Sequence, residues 1–156
     1  MSILLRVESG SGEHHAIAGA DWTWKVRSAQ TGGGLCFFEM NVEPGQGVPL
    51  HVHTYSEAFY IIEGTVEFHT GIVDAEVLSC GPGDVVLARP EVRHAFVNRS
   101  KARVRLLSIS TPAHEPFFDA VVAADRDASF AGLPPDQVFT RVVAIGAQTG
   151  CRFLVE

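Results

Sequence analysis

The segment from Gly45 to Gly64 contains two histidines and a carboxylate at a spacing that can bind a metal ion. His51 and His53 are one residue apart, and Glu57 follows four residues after His53. Because alternate side chains of a β-strand point to the same face, a strand here aims both imidazoles at one point. The carboxylate can turn back toward that point after a short polar break. Imidazole and carboxylate together suit Zn, Fe, Mn, Ni or Cu.

A third histidine, His94, lies in a later segment that is expected to form a strand after a turn. On that strand His94, Phe96 and Asn98 share one face. A single strand histidine is more often a hydrogen-bonded core residue than a ligand. Combined with the two histidines and the glutamate of the first segment, however, it completes a mononuclear site with open positions for water or substrate.

The composition predicts one globular domain in the cytoplasm. The chain has 156 residues, of which 46% are hydrophobic and 19% charged, so it can bury a substantial core. The formal net charge is −6 and the basic residues are scattered, which argues against a nucleic-acid partner. The apolar N-terminal stretch is too short for a signal peptide, and no run approaches the length of a membrane span.

The three cysteines are Cys36, Cys80 and Cys151. They are odd in number and form no C-x-x-C pair, which argues against a disulfide framework or a structural zinc site. We expect them to be small buried apolar residues.

Short strand-like segments separated by Gly and Pro turns occupy most of the chain before residue 112. They cover residues 2–7, 21–29, 35–42, 58–62, 65–69, 71–80, 85–88, 94–97 and 104–110. Residues 9–19 are polar and Gly-rich and are expected to form a loop, whereas 58–62 and 65–69 are predicted to form a hairpin. This pattern predicts an all-β fold, an antiparallel sandwich or barrel.

After residue 115 the apolar residues recur at helical spacing. One short amphipathic helix is expected around Phe117 and Phe118, and a second is expected to open at Pro134–Pro135 and end near Gly146. We expect both helices to pack outside the barrel. The predicted organisation is an N-terminal strand and loop (1–20), a barrel (21–112) and a C-terminal helical extension of the same domain (113–156).

These residues together resemble two motifs of the cupin superfamily. The first motif, G-x5-H-x-H-x3-E-x6-G, is matched at every fixed position by Gly45, His51, His53, Glu57 and Gly64. The second, G-x5-P-x-G-x2-H-x3-N, is matched by Gly83, His94 and Asn98. Arg89 and Glu91 stand where this motif has its proline and internal glycine, and we expect these two charges to lie beside the pocket mouth.

The resemblance covers residues 21–124 and is strongest to small single-domain cupins of the quercetin-dioxygenase-like type. It implies a double-stranded β-helix, or jelly-roll, barrel with one divalent metal per chain. It also implies a homodimer. An open-ended barrel has edge strands that need cover, and residues 3–7 and 22–26 are predicted to provide it by pairing across a two-fold axis. The metal ligands that it implies are His51, His53, Glu57 and His94.

Three classes of function stay open, because one fold hosts many chemistries. The first is a dioxygenase acting on an enolisable, aromatic substrate, with Glu57 as ligand and catalytic base. The second is a non-redox cyclase or isomerase of a polyketide- or sugar-like substrate, in which the metal is a Lewis acid. The third is a small-molecule-binding protein without turnover, which the complete ligand set disfavours. An apolar substrate pocket is expected from Phe38, Met40, Phe59, Ile61 and Phe96.

Overall fold

The chain forms two antiparallel β-sheets and two helices, as seen in a computed structural model that describes residues 3–71 and 73–155. Its strands, in chain order, are β1 Glu13–Ile17, β2 Ala20–Val26, β3 Cys36–Val42, β4 Gly47–His53, β5 Glu57–Glu63, β6 Val66–His69, β7 Val77–Cys80, β8 Val85–Ala88, β9 His94–Val97, β10 Val104–Ser110 and β11 Cys151–Phe153. A 3-10 turn, Pro112–His114, leads into helix α1, Glu115–Asp127, and helix α2 spans Pro135–Thr149. The predicted all-β jelly-roll barrel with two short C-terminal helices is confirmed.

The strands are divided between two facing sheets. The six-stranded sheet has the order β1-β2-β3-β10-β5-β8, and the five-stranded sheet has the order β11-β4-β9-β6-β7. All the strand pairs are antiparallel. Every second residue of β3 and β10 is buried, which places one face of each strand in the core between the sheets.

Aromatic side chains fill much of this core. Trp24 packs edge-on against Phe38 at 5.0 Å between ring centroids, and Phe118 from α1 packs on Phe38 at 4.7 Å. The three cysteines are free and buried, as the sequence predicts. Burial raises the pKa of the Cys36 thiol to about 12, so it stays protonated at neutral pH.

The predicted hairpin of 58–62 and 65–69 is wrong. Strand β5 lies between β10 and β8 in the six-stranded sheet, whereas β6 lies between β9 and β7 in the other. Gly64 turns the chain from one sheet to the other at a φ of 84°, and a Cβ there would lie 2.9 Å from the carbonyl oxygen of Arg103. Adjacent strands joined by a short turn thus cross the barrel instead of pairing, which their local pattern does not reveal.

The two ends of the chain also differ from the predictions. Among the described residues of the segment 2–7 there is no strand, and Ser2 lies outside the described residues. The predicted loop 9–19 contains β1, which pairs along its whole length with β2. The C-terminal extension is helical but ends in β11, which pairs with β4. The apolar–polar alternation of β1 and β11 is weak or short, so only their pairing with a neighbouring strand reveals them. Strand 71–80 is shorter than predicted, and Ile72 lies outside the described residues.

Helix α1 is anchored to the barrel by polar contacts after β2. The Glu115 carboxylate accepts hydrogen bonds from the Ser28 backbone N–H at 2.7 Å and from the Ser28 hydroxyl at 2.6 Å. One turn later, Asp119 accepts a hydrogen bond from Arg27 at 2.7 Å. These contacts fix the apolar face of α1 over the open end of the barrel. Within the described residues, neither helix is long and apolar enough to cross a membrane.

Candidate metal centre

Four buried side chains from both sheets converge at one end of the barrel. His51 and His53 come from β4 and His94 from β9, the neighbouring strand, where His94 lies directly opposite His51. Glu57 begins β5 in the facing sheet. One ligand atom from each residue lies within 4.8 Å of the other three. The structure therefore brings together all four predicted metal ligands.

Each of the three histidines is oriented by a backbone carbonyl two residues away. The Nδ1 atoms of His51, His53 and His94 lie 2.9, 2.7 and 3.0 Å from the carbonyl oxygens of Pro49, Tyr55 and Val92. A carbonyl oxygen only accepts a hydrogen bond, so each Nδ1 carries a proton and Nε2 is the ring atom left to bind a metal. Metal-binding histidines are commonly fixed in this way.

The contacts of Glu57 and His94 test whether a metal ion fits this cluster. Oε2 of Glu57 lies 3.1 Å from Nε2 of His53 and 3.6 Å from Nε2 of His94. Nε2 of His94 is buried and finds no hydrogen-bond partner within the part of the chain that the structure describes. A buried polar atom without a partner is costly, and a cation among these nitrogens and the carboxylate would satisfy it. Three imidazoles and one carboxylate suit one divalent Fe, Mn, Ni, Cu or Zn ion.

The protonation states also favour a cation. Burial lowers the pKa of His51 to about 3, and the neighbouring His94 adds to this shift, so the ring is neutral. Burial alone would raise the pKa of the Glu57 carboxyl. The His114 ring, two further imidazoles and the Ser108 hydroxyl outweigh burial and hold that pKa well below its usual value. A neutral imidazole, as in His51, and an ionised carboxylate, as in Glu57, are the forms that bind metal.

A largely apolar cavity of about 110 Å³ lies against the cluster. Of the five predicted substrate-pocket residues, Phe38, Met40, Phe59 and Phe96 line this cavity. Ile61 does not: it is fully buried in the core and is absent from the lining. The strand alternation correctly placed Ile61 on the inner face, but its position along β5, two residues beyond Phe59, is too deep to reach the cavity.

The C-terminal helices complete the cavity wall, a role that the sequence did not indicate. Phe117, Phe118 and Val121 of α1 and Val142 of α2 line it. A wider groove of about 690 Å³ runs along α2 and shares part of its lining with the cavity. The shared residues, which form the mouth, are Ile17, Ala18, Gly19, Gly47, Pro49 and Val142.

Two polar residues of the site were missed by the sequence reasoning. Ser108 of β10 donates a hydrogen bond to Oε1 of Glu57 at 2.5 Å. His114, the last residue of the 3-10 turn, is buried and lines the cavity, with Nδ1 at 3.8 Å from Oε1 of Glu57. Burial lowers the pKa of His114, and the charge of Glu57 opposes this shift. An isolated serine on a strand and an isolated histidine before a helix carry no spacing signal, so only the fold reveals them.

The two departures from the second motif lie away from the cavity. Arg89 and Glu91 are exposed in the turn between β8 and β9 and line neither the cavity nor the groove, so the expected charges beside the pocket mouth are not found. Glu91 has a φ of 64°, the left-handed conformation that favours the glycine of the motif. Asn98, the last motif residue, is fully buried and donates hydrogen bonds to the carbonyls of Val42 and Ala102.

Comparison with known proteins agrees with this geometry. The family model of the Cupin domain matches residues 38–110, the segment that contains all four candidate ligands. The chain has the cupin fold. No curated protein matches its sequence significantly.

Several solved structures share this fold at low sequence identity. The polyketide cyclase RemF of Streptomyces resistomycificus is 18% identical, with a TM-score of 0.61 over 70% of this chain and 80% of that one. A predicted oxalate decarboxylase of Thermotoga maritima is 21% identical, with a TM-score of 0.58 over 69% and 98%. An RmlC-like cupin of Shewanella frigidimarina is 20% identical, with a TM-score of 0.58 over 70% and 92%. At these identities the likeness concerns the fold alone.

Proposed function

We propose that the protein is a metal-dependent enzyme that enolises an apolar carbonyl substrate and isomerises or cyclises it without a redox step. The observation that carries the proposal is the placement of Glu57. Its Oε2 lies among the imidazole nitrogens, whereas its Oε1 is held by Ser108 and Glu57 lines the apolar cavity. One carboxylate can thus bind a metal through one oxygen and accept a substrate proton on the other.

The surrounding residues support proton abstraction at this point. A divalent metal on the four ligands would polarise a substrate carbonyl as a Lewis acid. The Ser108 hydrogen bond fixes the orientation of the carboxylate, and the aromatic lining around it keeps bulk water away from the reacting carbon. A base beside an activated carbonyl is sufficient for enolisation, so no further co-substrate is required.

The second candidate is a quercetinase-like dioxygenase. The aromatic lining from Phe38, Phe59 and Phe96 suits a flat aromatic substrate, and the ligand set suits Fe, Mn, Ni or Cu. In this case too, Glu57 would take the hydroxyl proton of the substrate. The two candidates differ in whether O2 is consumed.

Exchange of carbon-bound hydrogen tests the leading proposal. Zn-loaded protein should exchange the methyl protons of acetophenone with D2O under anaerobic conditions, as followed by proton NMR. Glu57→Gln keeps the size of the side chain but removes its basicity, so exchange should fall by at least ~10²-fold while metal affinity falls modestly. Exchange that is equal in wild type, Glu57→Gln and metal-free protein would refute the proposal.

An oxygen electrode separates the two candidates. Protein loaded with Fe, Mn, Ni or Cu is mixed with flavonols and other enolisable aromatics, beside Zn-loaded protein. Product formed anaerobically or with Zn supports the non-redox enzyme. O2 consumption that matches product formation, with no product under anaerobic conditions, would replace it with the dioxygenase.

A further inference from the structure

His114 lies beside the metal centre without being part of it. The cluster of four ligand atoms does not include it. Its side chain is only 5% exposed, and its Nδ1 lies 3.8 Å from Oε1 of Glu57, too far for a hydrogen bond. Nδ1 has no hydrogen-bond partner among the described residues. A buried ring nitrogen in this state needs a partner that the protein itself does not provide.

The ring of His114 is held in place by aromatic neighbours. Its centroid lies 5.0 Å from that of Phe118, 5.2 Å from that of Tyr55 and 5.8 Å from that of Phe38. The ring also lines the cavity, next to the carboxylate of Glu57. A molecule in the cavity would therefore meet an imidazole held in place beside the metal centre.

We propose that His114 provides the second polar contact of the substrate and thereby selects the substrate class. One substrate oxygen lies at the metal, and an oxygen on a nearby carbon forms a hydrogen bond with Nδ1 of His114. The rest of the cavity is lined mainly by apolar side chains. The substrate class is an apolar molecule with two neighbouring oxygens, as in an α-hydroxyketone or a β-diketone. This inference rests on the proposed function.

The competing explanation is that His114 only fills space among aromatic rings. The two explanations differ in what Phe at this position would do. His114→Phe keeps an aromatic ring but removes both nitrogens, whereas His114→Asn keeps a polar group close to the position of Nδ1. If the ring only fills space, Phe should be the better replacement.

Two ring ketones provide a matched pair of ligands. Tropolone has a hydroxyl beside its carbonyl, and tropone has the carbonyl alone. Binding of each to Zn-loaded full-length protein is measured by isothermal titration calorimetry for wild type, His114→Phe and His114→Asn, with metal content determined before and after each titration. Phe118→Leu, which loosens the packing around His114 without changing a polar group, is the control.

We expect His114→Phe to weaken tropolone binding by roughly tenfold, the effect of one lost hydrogen bond, and to leave tropone binding and metal content unchanged. His114→Asn should keep most of the tropolone affinity, and Phe118→Leu should weaken both ligands alike. If His114→Phe does not fold, His114→Gln, whose polar group lies nearer the position of Nε2, should show the same selective loss.

Equal effects of His114→Phe on both ligands would overturn the role of His114 while leaving the metal enzyme intact. Wild-type protein that holds Zn but binds neither ligand would overturn the substrate class. Failure of the proposed function gives a different result. In that case the hydrogen exchange of acetophenone would not depend on Glu57, irrespective of how tightly tropolone binds.

Discussion

Glu57 divides its two oxygens between two environments. Oε2 faces the ring nitrogens of His53 and His94, and Oε1 receives the Ser108 hydroxyl. The carboxylate is 3% exposed, so its charge is stable only because these groups surround it. The first cupin motif specifies this residue by its distance from the two histidines. Its second oxygen is held in position by Ser108, a residue 51 positions further along the chain.

The four-residue cluster predicts about one divalent metal per purified chain. His51→Ala or His94→Ala should remove most of the metal while the barrel stays folded, because the remaining ligands bind weakly and the apolar core lies elsewhere. Metal content is measured by elemental analysis and folding by circular dichroism. His69→Ala, on β6 and outside the cluster, is the control and should keep its metal. Full occupancy in the His51 or His94 variant would show that the ligand set is wrong.

The left-handed backbone conformation of Glu91 predicts that replacing this residue with glycine stabilises the protein. A non-glycine residue at a φ of 64° is strained, and its side chain is exposed, so Glu91→Gly should relieve strain at little cost in contacts. After subtracting the extra entropy of glycine in the unfolded chain, we expect stabilisation of up to about 1 kcal/mol in urea unfolding. Glu43→Gly, at an exposed glutamate with ordinary backbone angles, should instead destabilise the protein. Loss of stability in Glu91→Gly would contradict the strain argument.

At the level of elements, α1 has two functions. Its apolar face supplies Phe117, Phe118 and Val121 to the cavity wall, and the turn before it supplies His114. The position of this face depends on Glu115, which is 15% exposed and bonds to both the backbone and the hydroxyl of Ser28. A change in the docking of α1 would therefore alter the site without touching a metal ligand.

Glu115→Ala should destabilise the protein by about 1–3 kcal/mol, because it leaves a half-buried Ser28 N–H without a partner. Urea unfolding followed by tryptophan fluorescence measures this, since Trp22 and Trp24 pack on Phe118. The control is Asp119→Ala on the same helix. Its carboxylate is 55% exposed and pairs with Arg27, so the loss should be below about 1 kcal/mol. Equal losses in the two variants would show that Ser28 does not anchor α1.

At the scale of the whole molecule, the homodimer stays a prediction. Its interface, however, is no longer expected to be formed by residues 3–7 and 22–26. Strand β2 already pairs with β1 and β3, and residues 3–7 form no strand. The outer face of the six-stranded sheet is a better candidate. Tyr60, Val85 and Leu87, on the neighbouring strands β5 and β8, are 43%, 64% and 56% exposed. An exposed apolar patch of this kind is typical of an interface.

Light scattering at micromolar concentration should therefore give the mass of a dimer. Leu87→Lys places a charge in the apolar patch and should shift the protein toward monomer with its fold intact. Val77→Lys, at a valine that is 59% exposed on the edge of the other sheet, should leave the dimer unchanged. A monomeric wild-type protein would rule the dimer out, and dimeric Leu87→Lys would place the interface elsewhere.

The sequence by itself determined the barrel and all four candidate ligands. His51 and His53 are separated by one residue on one strand, so alternation alone puts both rings on one face. Glu57 and His94 occupy the remaining ligand positions of the two motifs. Turn residues and helical spacing likewise located most strands and both helices, because these signals depend only on neighbours along the chain.

Only the tertiary structure decided which strands pair and what lies around the ligands. Strand β1 and strand β11 form through their partners, and β5 and β6 separate into different sheets although a short turn joins them. The neighbours of Glu57 at Ser108 and His114 are more than fifty residues away in sequence. Burial and hydrogen bonding are set by such distant contacts, and local periodicity carries no record of them.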